Sequence, residues 1–451
     1  MRAILTVLAL AMASCAIHLP KPNVEIPHRY IYDLDHATTS VDGAWWNIYN
    51  DPVLDSLQRR ALAANRDLAA AAERVEQARL SIAVARSAFL PNLNFDIEAN
   101  LQHTTPTGTE QQYTVGPSIS WDLSLFGALR NAQREARAEL LSSEWALRGV
   151  QLSLTVEMAK AYFTLRQSEL SLSIARRSHH LREESAALID SLFHYGMATG
   201  LDADQARSLV YVAASDIEQY TRSRNEAQLS ICTLLGIAPI PYTEPAITPL
   251  MAELPSAPPE ALPSELLQLR PDIMQAHYAV EAAAAGVGTA RSNRFPSIPL
   301  TGSGGRFGAR FKELFTENLW SWSATGSLAQ PLFSFGRLSR REQIARSAYN
   351  ESLRQYEKTV LEALEQVESA LTAISTTNRQ TERYAEYVAA NKRIADLTEQ
   401  LYRIGMSNYL DVISTEQTWY TSQLTLIELM IQQRINYSTL VMALGEGWQG
   451  L

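Results

Sequence analysis

Two carboxylates stand in the same short frame. Asp202 closes GMATGLD at residues 196–202, and Asp411 closes GMSNYLD at residues 405–411. Glycine can take the left-handed conformation that ends a helix, and aspartate can cap the start of the next. Gly196 with Asp202, and Gly405 with Asp411, therefore read as two helix–turn–helix junctions. Leu201 and Leu410 are then expected as buried turn residues. Carboxylates brought close to one another must be offset by cations, hydrogen bonds or distance. Capping alone is the plain reading of both aspartates, and a cation-selective constriction at Asp411 is the alternative if copies of the turns converge. The remaining chemistry is sparse. His179-His180 has no Cys or carboxylate set around it and reads as solvated surface rather than a metal site. GSGG from Gly302 lacks the Lys-Ser/Thr of a phosphate loop. No Ser-His-Asp spacing or clustered carboxylates points to hydrolysis. The expectation is no enzyme, no metal and no cofactor.

The chain that carries these turns has 451 residues, is 46% hydrophobic and 19% charged, and bears a net charge of −9. That composition supports a large folded body and argues against disorder. The acidic balance and the lack of any basic cluster of five or more residues exclude a nucleic-acid partner. There are two cysteines, Cys15 and Cys232. The first follows an apolar run from Ala3 to Ala13, well short of the roughly 18–20 residues of a membrane span, so residues 1–14 read as a secretory signal. MASC resembles a lipoprotein-processing site, with Met12 where Leu is usual, which makes Cys15 the expected lipidation site. An ordinary signal peptide that happens to contain a cysteine is the alternative. An acylated Cys15 would leave Cys232 without an intramolecular partner and hold the N-terminus at a bilayer surface.

The mature chain is written twice. Gly196 and Gly405 lie 209 apart (405 − 196), as do Asp202 and Asp411, Phe126 and Phe335, and Gly236 and Gly445. Upstream the offset is 205 (291 − 86): RSAFLPNL from Arg86 matches RSNRFPSI from Arg291, and Asp67 matches Asp272. Loops between Pro91 and Phe126 absorb the change. The organisation expected is an extended arm over 15–54, repeat 1 over 55–236, a Pro-rich linker over 237–264, repeat 2 over 265–445, and a tail over 446–451. Each repeat reads as helix, two strands, very long helix, turn, helix. Asp55 to Ala88 has no Gly or Pro and predicts one helix. In LNFDIEANLQ, Leu93, Phe95, Ile97, Ala99 and Leu101 alternate with Asn94, Asp96, Glu98, Asn100 and Gln102. YTVGPSISWDLSL alternates likewise and sets Asp122 on its polar side. Such period-two patterning marks strands with one apolar and one wet face.

Two demands follow from geometry. Helices from Gly127 to Tyr195 and from Arg337 to Ile404 would each approach roughly 100 Å, at about 1.5 Å per residue. A rod of that length suits a structure crossing an aqueous gap. Strands of about ten alternating residues suit a membrane barrel, but four are too few to close one. An open sheet would leave unpaired edges in lipid. Several copies must therefore share a barrel, with three giving twelve strands and a pore. Asp96, Glu98 and Asp122 would then face an acidic lumen. A soluble α+β domain is the plainer alternative, and it offers no role for rods this long.

The segment GAWWNIYNDPVLDSLQRRALAANRDLAAAAERVEQAR from Gly43 resembles the entry of TolC-type outer-membrane efflux channels, in the NodT-like lipoprotein subgroup. So do LLQLRPDIMQAHYAVEAAAAGVG, FPSIPLTGSGG and WSATGSLAQPLFSFGRLSRREQIARSAYNESLRQYEKTVLEALEQVESAL. The likeness runs from about Trp45 to Gly445, with Gln268 and His277 as minor departures. It implies an α+β membrane protein: a homotrimer forming a composite 12-stranded β-barrel, four strands per chain, continuous with a long periplasmic α-helical barrel. It places the protein in the outer membrane of a Gram-negative bacterium, in contact with outer-membrane lipid. The implied function is a passive exit duct that docks with a periplasmic adaptor protein and an inner-membrane efflux pump. By the same resemblance a residue other than Asp after Cys15, here Ala16, sorts the lipoprotein to the outer membrane. The turns become the periplasmic gate and adaptor-contact surface, with Asp202, Tyr402 and Asp411 at positions that hold it shut. Ser414 and Ser407 depart from the Asp and Arg that some relatives carry there. A non-conducting periplasmic lipoprotein scaffold is the competing function, and it would not need the four alternating strands.

Overall fold

A computed structural model describes residues 19–32, 43–105, 108–240, 263–264, 266–316, 320–445 and 447. Cys15 and residues 1–14, most of the Pro-rich linker and most of the tail lie outside them. Repeat 1 contains α1 (Pro52–Ala64), α2 (Arg66–Ser87), β1 (Asn92–Thr104), β2 (Gly108–Leu123), α3 (Ala128–His194) and α4 (Gly200–Leu234). Repeat 2 contains α5 (Pro271–Ser292), β3 (Ile298–Gly308), β4 (Trp320–Gly326), α6 (Arg337–Arg403) and α7 (Tyr409–Leu444). The two long helices, α3 and α6, have 67 residues each.

The single helix expected over Asp55–Ala88 is two helices, and Asn65 is the reason. It takes an extended conformation after α1 (φ −62, ψ 134). Its Oδ1 accepts the Leu68 N–H at 2.9 Å, starting α2, while its Nδ2 donates to the Leu234 carbonyl at 2.9 Å. An amide can do both because it carries a donor and an acceptor on one short stem. Repeat 2 sets Arg270 at the same place. Its Nη1 donates to the Ala443 carbonyl at 2.6 Å, and Pro271 opens α5, where a missing N–H costs nothing. The partners again differ by 205 (270 − 65) and 209 (443 − 234). A further contact recurs in the same register. Trp121 Nε1 donates to the Phe89 carbonyl at 3.0 Å, and Gln330 Nε2 donates to the Arg294 carbonyl at 3.1 Å.

The chain divides into two compact units. Among the described residues, the first comprises those within 19–24, 72–146 and 272–359, and holds the sheet. Its strands run in the order β1-β2-β3-β4, antiparallel throughout, leaving β1 and β4 as edges. The β2·β3 pair joins the repeats. There Gly116 lies so close to Gly304 and Gly305 that a Cβ on it would stand 2.1 Å from the Gly304 oxygen, so only glycine fits. In the same unit, Val287, Tyr349 and Leu353 form a small core that Leu19 joins, and the Tyr349 hydroxyl donates to the Pro20 carbonyl at 2.6 Å.

The second unit comprises the described residues within 25–71, 147–271 and 360–447. One core gathers Trp45, Trp46, Tyr49 and Leu54 against Leu152, Val156, Phe163 and Val441. Trp45 is fully buried and its indole N–H donates to Thr155 Oγ1 at 3.0 Å, while the Tyr49 hydroxyl donates to the Arg434 carbonyl at 2.8 Å. Buried aromatic rings with satisfied polar tips make the end of the N-terminal arm an integral part of this core. A second core joins Ala61, Met158 and Leu165 to Ala227, Ile231 and Leu235. A third joins Ala186 and Ile189 to Ala203, Ala206, Tyr409 and Val412, beside the two turns.

Candidate functional site: the paired turns and the two-faced sheet

The turn after α3 begins at Gly196, whose φ of +74 is the left-handed conformation glycine takes without strain. Its N–H bonds to the Phe193 carbonyl at 3.0 Å, and the Met197 N–H reaches back to Leu192 at 2.8 Å. The turn after α6 repeats this at Gly405 (φ +77), with Gly405 bonded to Tyr402 at 2.9 Å and Met406 to Leu401 at 2.8 Å. Each helix end thus satisfies its last carbonyls by the same reverse hydrogen bonds.

The aspartates are not the caps themselves. Thr199 caps α4, its hydroxyl accepting the Asp202 N–H at 3.2 Å. Asp202 answers from the third helical position, its Oδ2 accepting the Thr199 N–H at 2.9 Å and the Thr199 hydroxyl at 2.7 Å. This reciprocal pair is a capping box. Asn408 caps α7, its Oδ1 accepting the Asp411 N–H at 2.8 Å. Asp411 turns instead to Ser407, whose hydroxyl donates to its Oδ2 at 3.0 Å. The side chains that cap, Thr199 and Asn408, sit three residues before the aspartates, at a variable position that the Gly-Met…Leu-Asp pattern passes over.

Leu201 and Leu410 are not buried: they are 67% and 58% exposed in the single chain. The core beneath the turns is filled by Ala203, Ala206, Tyr409 and Val412, which lie on the other side of the first helical turns. Tyr402 packs on Tyr409 with ring centroids 5.5 Å apart, and the Tyr409 hydroxyl lies 3.1 Å from Ser185 Oγ. Burial raises the Tyr402 hydroxyl above its ordinary range, and the Asp202 charge adds to it. The two Thr199 hydrogen bonds hold Asp202 below the ordinary carboxylate range. Asp202 and Tyr402 are therefore electrostatic neighbours, while each aspartate bonds within its own turn.

Residues with no pattern in the sequence flank this core. Arg207 bridges Asp190 at 2.8 Å and Asp204 at 3.3 Å. Arg182 donates to Gln417 Oε1 at 2.5 Å and to the Leu209 carbonyl at 3.2 Å, and lies over the Tyr420 ring at 5.3 Å. Burial raises the Glu416 carboxyl, Glu399 raises it further and Arg182 opposes both. Arginine on an amphipathic helix reads as solvated surface, so only the fold shows Arg182 tying α3 to both returning helices.

In the sheet, the expected wet residues share one face. Register pairs Asn94 with Ser118, Asp96 with Gly116 and Glu98 with Thr114, and paired residues project to the same side. Alternation along β2 adds Ser120 and Asp122, and onward pairing adds Thr301, Ser303, Ser323 and Thr325. The Ser118 hydroxyl donates to Asp96 across the strands. The opposite face carries Leu93, Phe95, Ile97, Ile119, Trp121, Leu300 and Trp322. Leu93, Phe95, Ile97 and Trp322 are 74, 70, 70 and 74% exposed, so among the described residues little covers that face. A soluble α+β domain would need it covered. His179 and His180 each approach a glutamate one turn on, at 3.4 and 3.5 Å. Among the described residues no cluster of three or more His, Cys, Asp or Glu could hold a metal, and no helix is long and apolar enough to cross a membrane.

An uncovered two-faced sheet, four strands per chain, joined to paired 67-residue helices defines the class: the fold of the trimeric outer-membrane efflux channels. The chain belongs to the outer membrane efflux protein family, which matches residues 57–237 and again 262–446, one match per repeat. Among its relatives is the toluene efflux pump outer membrane protein TtgC of Pseudomonas putida, 30% identical over 91% of this chain and 86% of that one. The cation efflux system protein CusC of Escherichia coli is 27% identical over 98% of this chain and 97% of its own. Solved structures agree. CusC superposes with a TM-score of 0.82 at 27% identity, covering 96% of this chain and 99% of that one. The open-state MtrE channel of Neisseria gonorrhoeae gives 0.84 at 28% identity, covering 96% and 98%. The protein is an outer-membrane channel component of an efflux system.

Proposed function

We propose that three copies of this chain close one twelve-stranded barrel and form a passive exit duct for small molecules, filled by an inner-membrane pump through a periplasmic adaptor. The observation that carries this is the sheet, with its polar and apolar faces and its two free edges, β1 and β4. Unpaired edges are costly in lipid and a bare apolar face is costly in water; closure among copies pairs the edges, and the bilayer covers the face. In this reading Asp96, Glu98 and Asp122 line the lumen and favour cations modestly. Asp202, Tyr402 and Asp411 form the periplasmic gate, and the exposed Leu201 and Leu410, with the turns at Gly196 and Gly405, meet the adaptor. Acylation of Cys15 holds the N-terminal arm at the membrane. The duct performs no chemistry of its own and needs no cofactor.

The test is the mass of the protein extracted from outer membranes in mild detergent, before and after heating, followed by single-channel recording. A species of three chain masses that dissociates on heating and conducts ions is expected. A monomer soluble without detergent would favour the non-conducting periplasmic scaffold instead.

A further inference from the structure

The internal repeat reaches further than the fold of one chain, because one of its contacts is made only once. At the foot of α3, Phe126 stacks on Phe295 of repeat 2, with centroids 5.1 Å apart and planes 13° from parallel. Ser292 Oγ donates to the Phe126 carbonyl at 2.8 Å and is itself buried. Glu135 on α3 lies against Gly286 of α5, where a Cβ would meet its carboxylate at 3.3 Å. Repeat 1's strand-to-helix junction therefore packs on repeat 2's helix-to-strand junction.

Exchanging the repeats turns this seam into another. Phe126 becomes Phe335 (126 + 209), Glu135 becomes Ile344 (135 + 209), Phe295 becomes Leu90 (295 − 205) and Ser292 becomes Ser87 (292 − 205). The hydrogen bonds that recur at these two offsets, Trp121 to Phe89 and Gln330 to Arg294, fix the register on both sides of the junction. Yet the second seam is open in one chain. Phe335 is 86% exposed, Ile344 68% and Leu90 65%, and Ser87 is exposed where Ser292 is buried. Val84, at the place of the half-buried Thr289, is 70% exposed. The open side is also the more apolar: Ile344 stands for a glutamate and Val84 for a threonine. An apolar helix face left bare in one chain, whose twin is covered within it, fits a surface buried on assembly.

We infer that this seam closes between copies: Phe335 of one chain packs on Leu90 of the next, and Ser87 Oγ donates to the Phe335 carbonyl across the junction. The inference rests on the trimeric reading above and deepens it by naming the contact. Such a contact joins unlike patches head to tail, and a rotation that closes after three copies satisfies every one of them. The same exchange carries the β2·β3 pairing within a chain onto a β4·β1 pairing between chains, so helical seam and sheet edge close together.

The test is cysteine cross-linking in detergent-solubilised full-length protein on a Cys232→Ala background, with a short bis-maleimide as probe. Leu90→Cys with Phe335→Cys is expected to give bands at two and three chain masses on a denaturing gel. Phe126→Cys with Phe295→Cys should react within the chain and give neither. Leu90→Cys alone and Phe335→Cys alone should also give neither, since each residue meets a different partner. Native mass is measured on every variant. A trimeric mass with no cross-linked bands from the Leu90/Phe335 pair would overturn this contact and leave the trimer standing. Equal bands from either single variant would also overturn it. A monomeric mass would overturn the trimer, and the contact with it.

Discussion

The two turns share a backbone and differ in how they use it. In the first, Thr199 and Asp202 answer each other, so the carboxylate Oδ2 accepts two hydrogen bonds from the cap. In the second, Asn408 caps alone and Asp411 keeps only the bond from Ser407. Position 200 is glycine in the first turn; its counterpart, 409, is a tyrosine buried among the helices of the other repeat. The first turn is thus closed by its own polar residues, and the second is fastened by an aromatic anchor that leaves its carboxylate less engaged. A repeated frame need not repeat a role: Asp202 serves its helix, while Asp411 has capacity left for a cation or a partner.

Removing the anchor should have the largest effect. Tyr409→Ala deletes a buried ring and its hydroxyl contact with Ser185, a change that costs about 3 kcal/mol by analogy with other aromatic-to-alanine core substitutions. Local opening of the turns, read by amide hydrogen exchange along α4 and α7, should rise accordingly. The same exchange at the twin position, Gly200→Ala, should be neutral or slightly protective. A Cβ there meets only Phe193 at 3.6 Å, an ordinary contact, and alanine is the better helix former. Equal effects at both positions would abolish the asymmetry.

The charge comparison comes next. In single-channel recordings Asp411→Asn is expected to weaken block by divalent cations by about tenfold, or 1.4 kcal/mol. Asp202→Asn should weaken it less, because that carboxylate is already committed to Thr199. Unchanged block in Asp411→Asn would leave Asp411 with a structural role only. The caps themselves should matter at about 1 kcal/mol. Thr199→Ala should loosen the first turn of α4 by that amount in hydrogen exchange, whereas Thr199→Asn, which imitates the second turn, should be nearly silent.

Much of this architecture was legible before any coordinates. The strands declared themselves by alternation, so Asp96, Glu98 and Asp122 fell on one face as patterned. The long helices ended within a residue or two of Gly127, Tyr195, Arg337 and Ile404, because glycine marks a helix end for a backbone reason that sequence displays. What escaped was set by side chains acting across the fold. Asn65 broke a helix with no Gly or Pro in sight, since its two hydrogen bonds depend on Leu234, 169 residues away. Leu201 and Leu410 were misplaced because burial at a turn depends on which side faces the neighbouring hairpin, and Tyr409 had taken that side. Arg182 and Glu416 gave no signal at all, because a charged residue on a helix looks the same whether water or Tyr420 lies beside it.

The smallest effect would come from protons, and its sign follows from the caps. Asp202 is held below the ordinary carboxylate range by its hydrogen bonds with Thr199, so folding favours its charged form. Its contribution is complete above the unfolded carboxylate pKa of about 4 and is lost as pH falls through the lower, folded value. The carboxylate is almost fully solvated, which keeps the effect modest. Acidification below pH about 4 should therefore raise hydrogen exchange at the start of α4. Thr199→Ala should remove much of that acid response, because without the cap hydroxyl the proton displaces one hydrogen bond fewer. The cap of α7 is the amide of Asn408, which carries no titrating proton, so the Asn408 Oδ1 bond to the Asp411 N–H persists through the same range. An acid step confined to α4 would show that the two turns divide their work as their hydrogen bonds suggest. A step of the same size in α7 would mean that the two turns do not divide their work in this way.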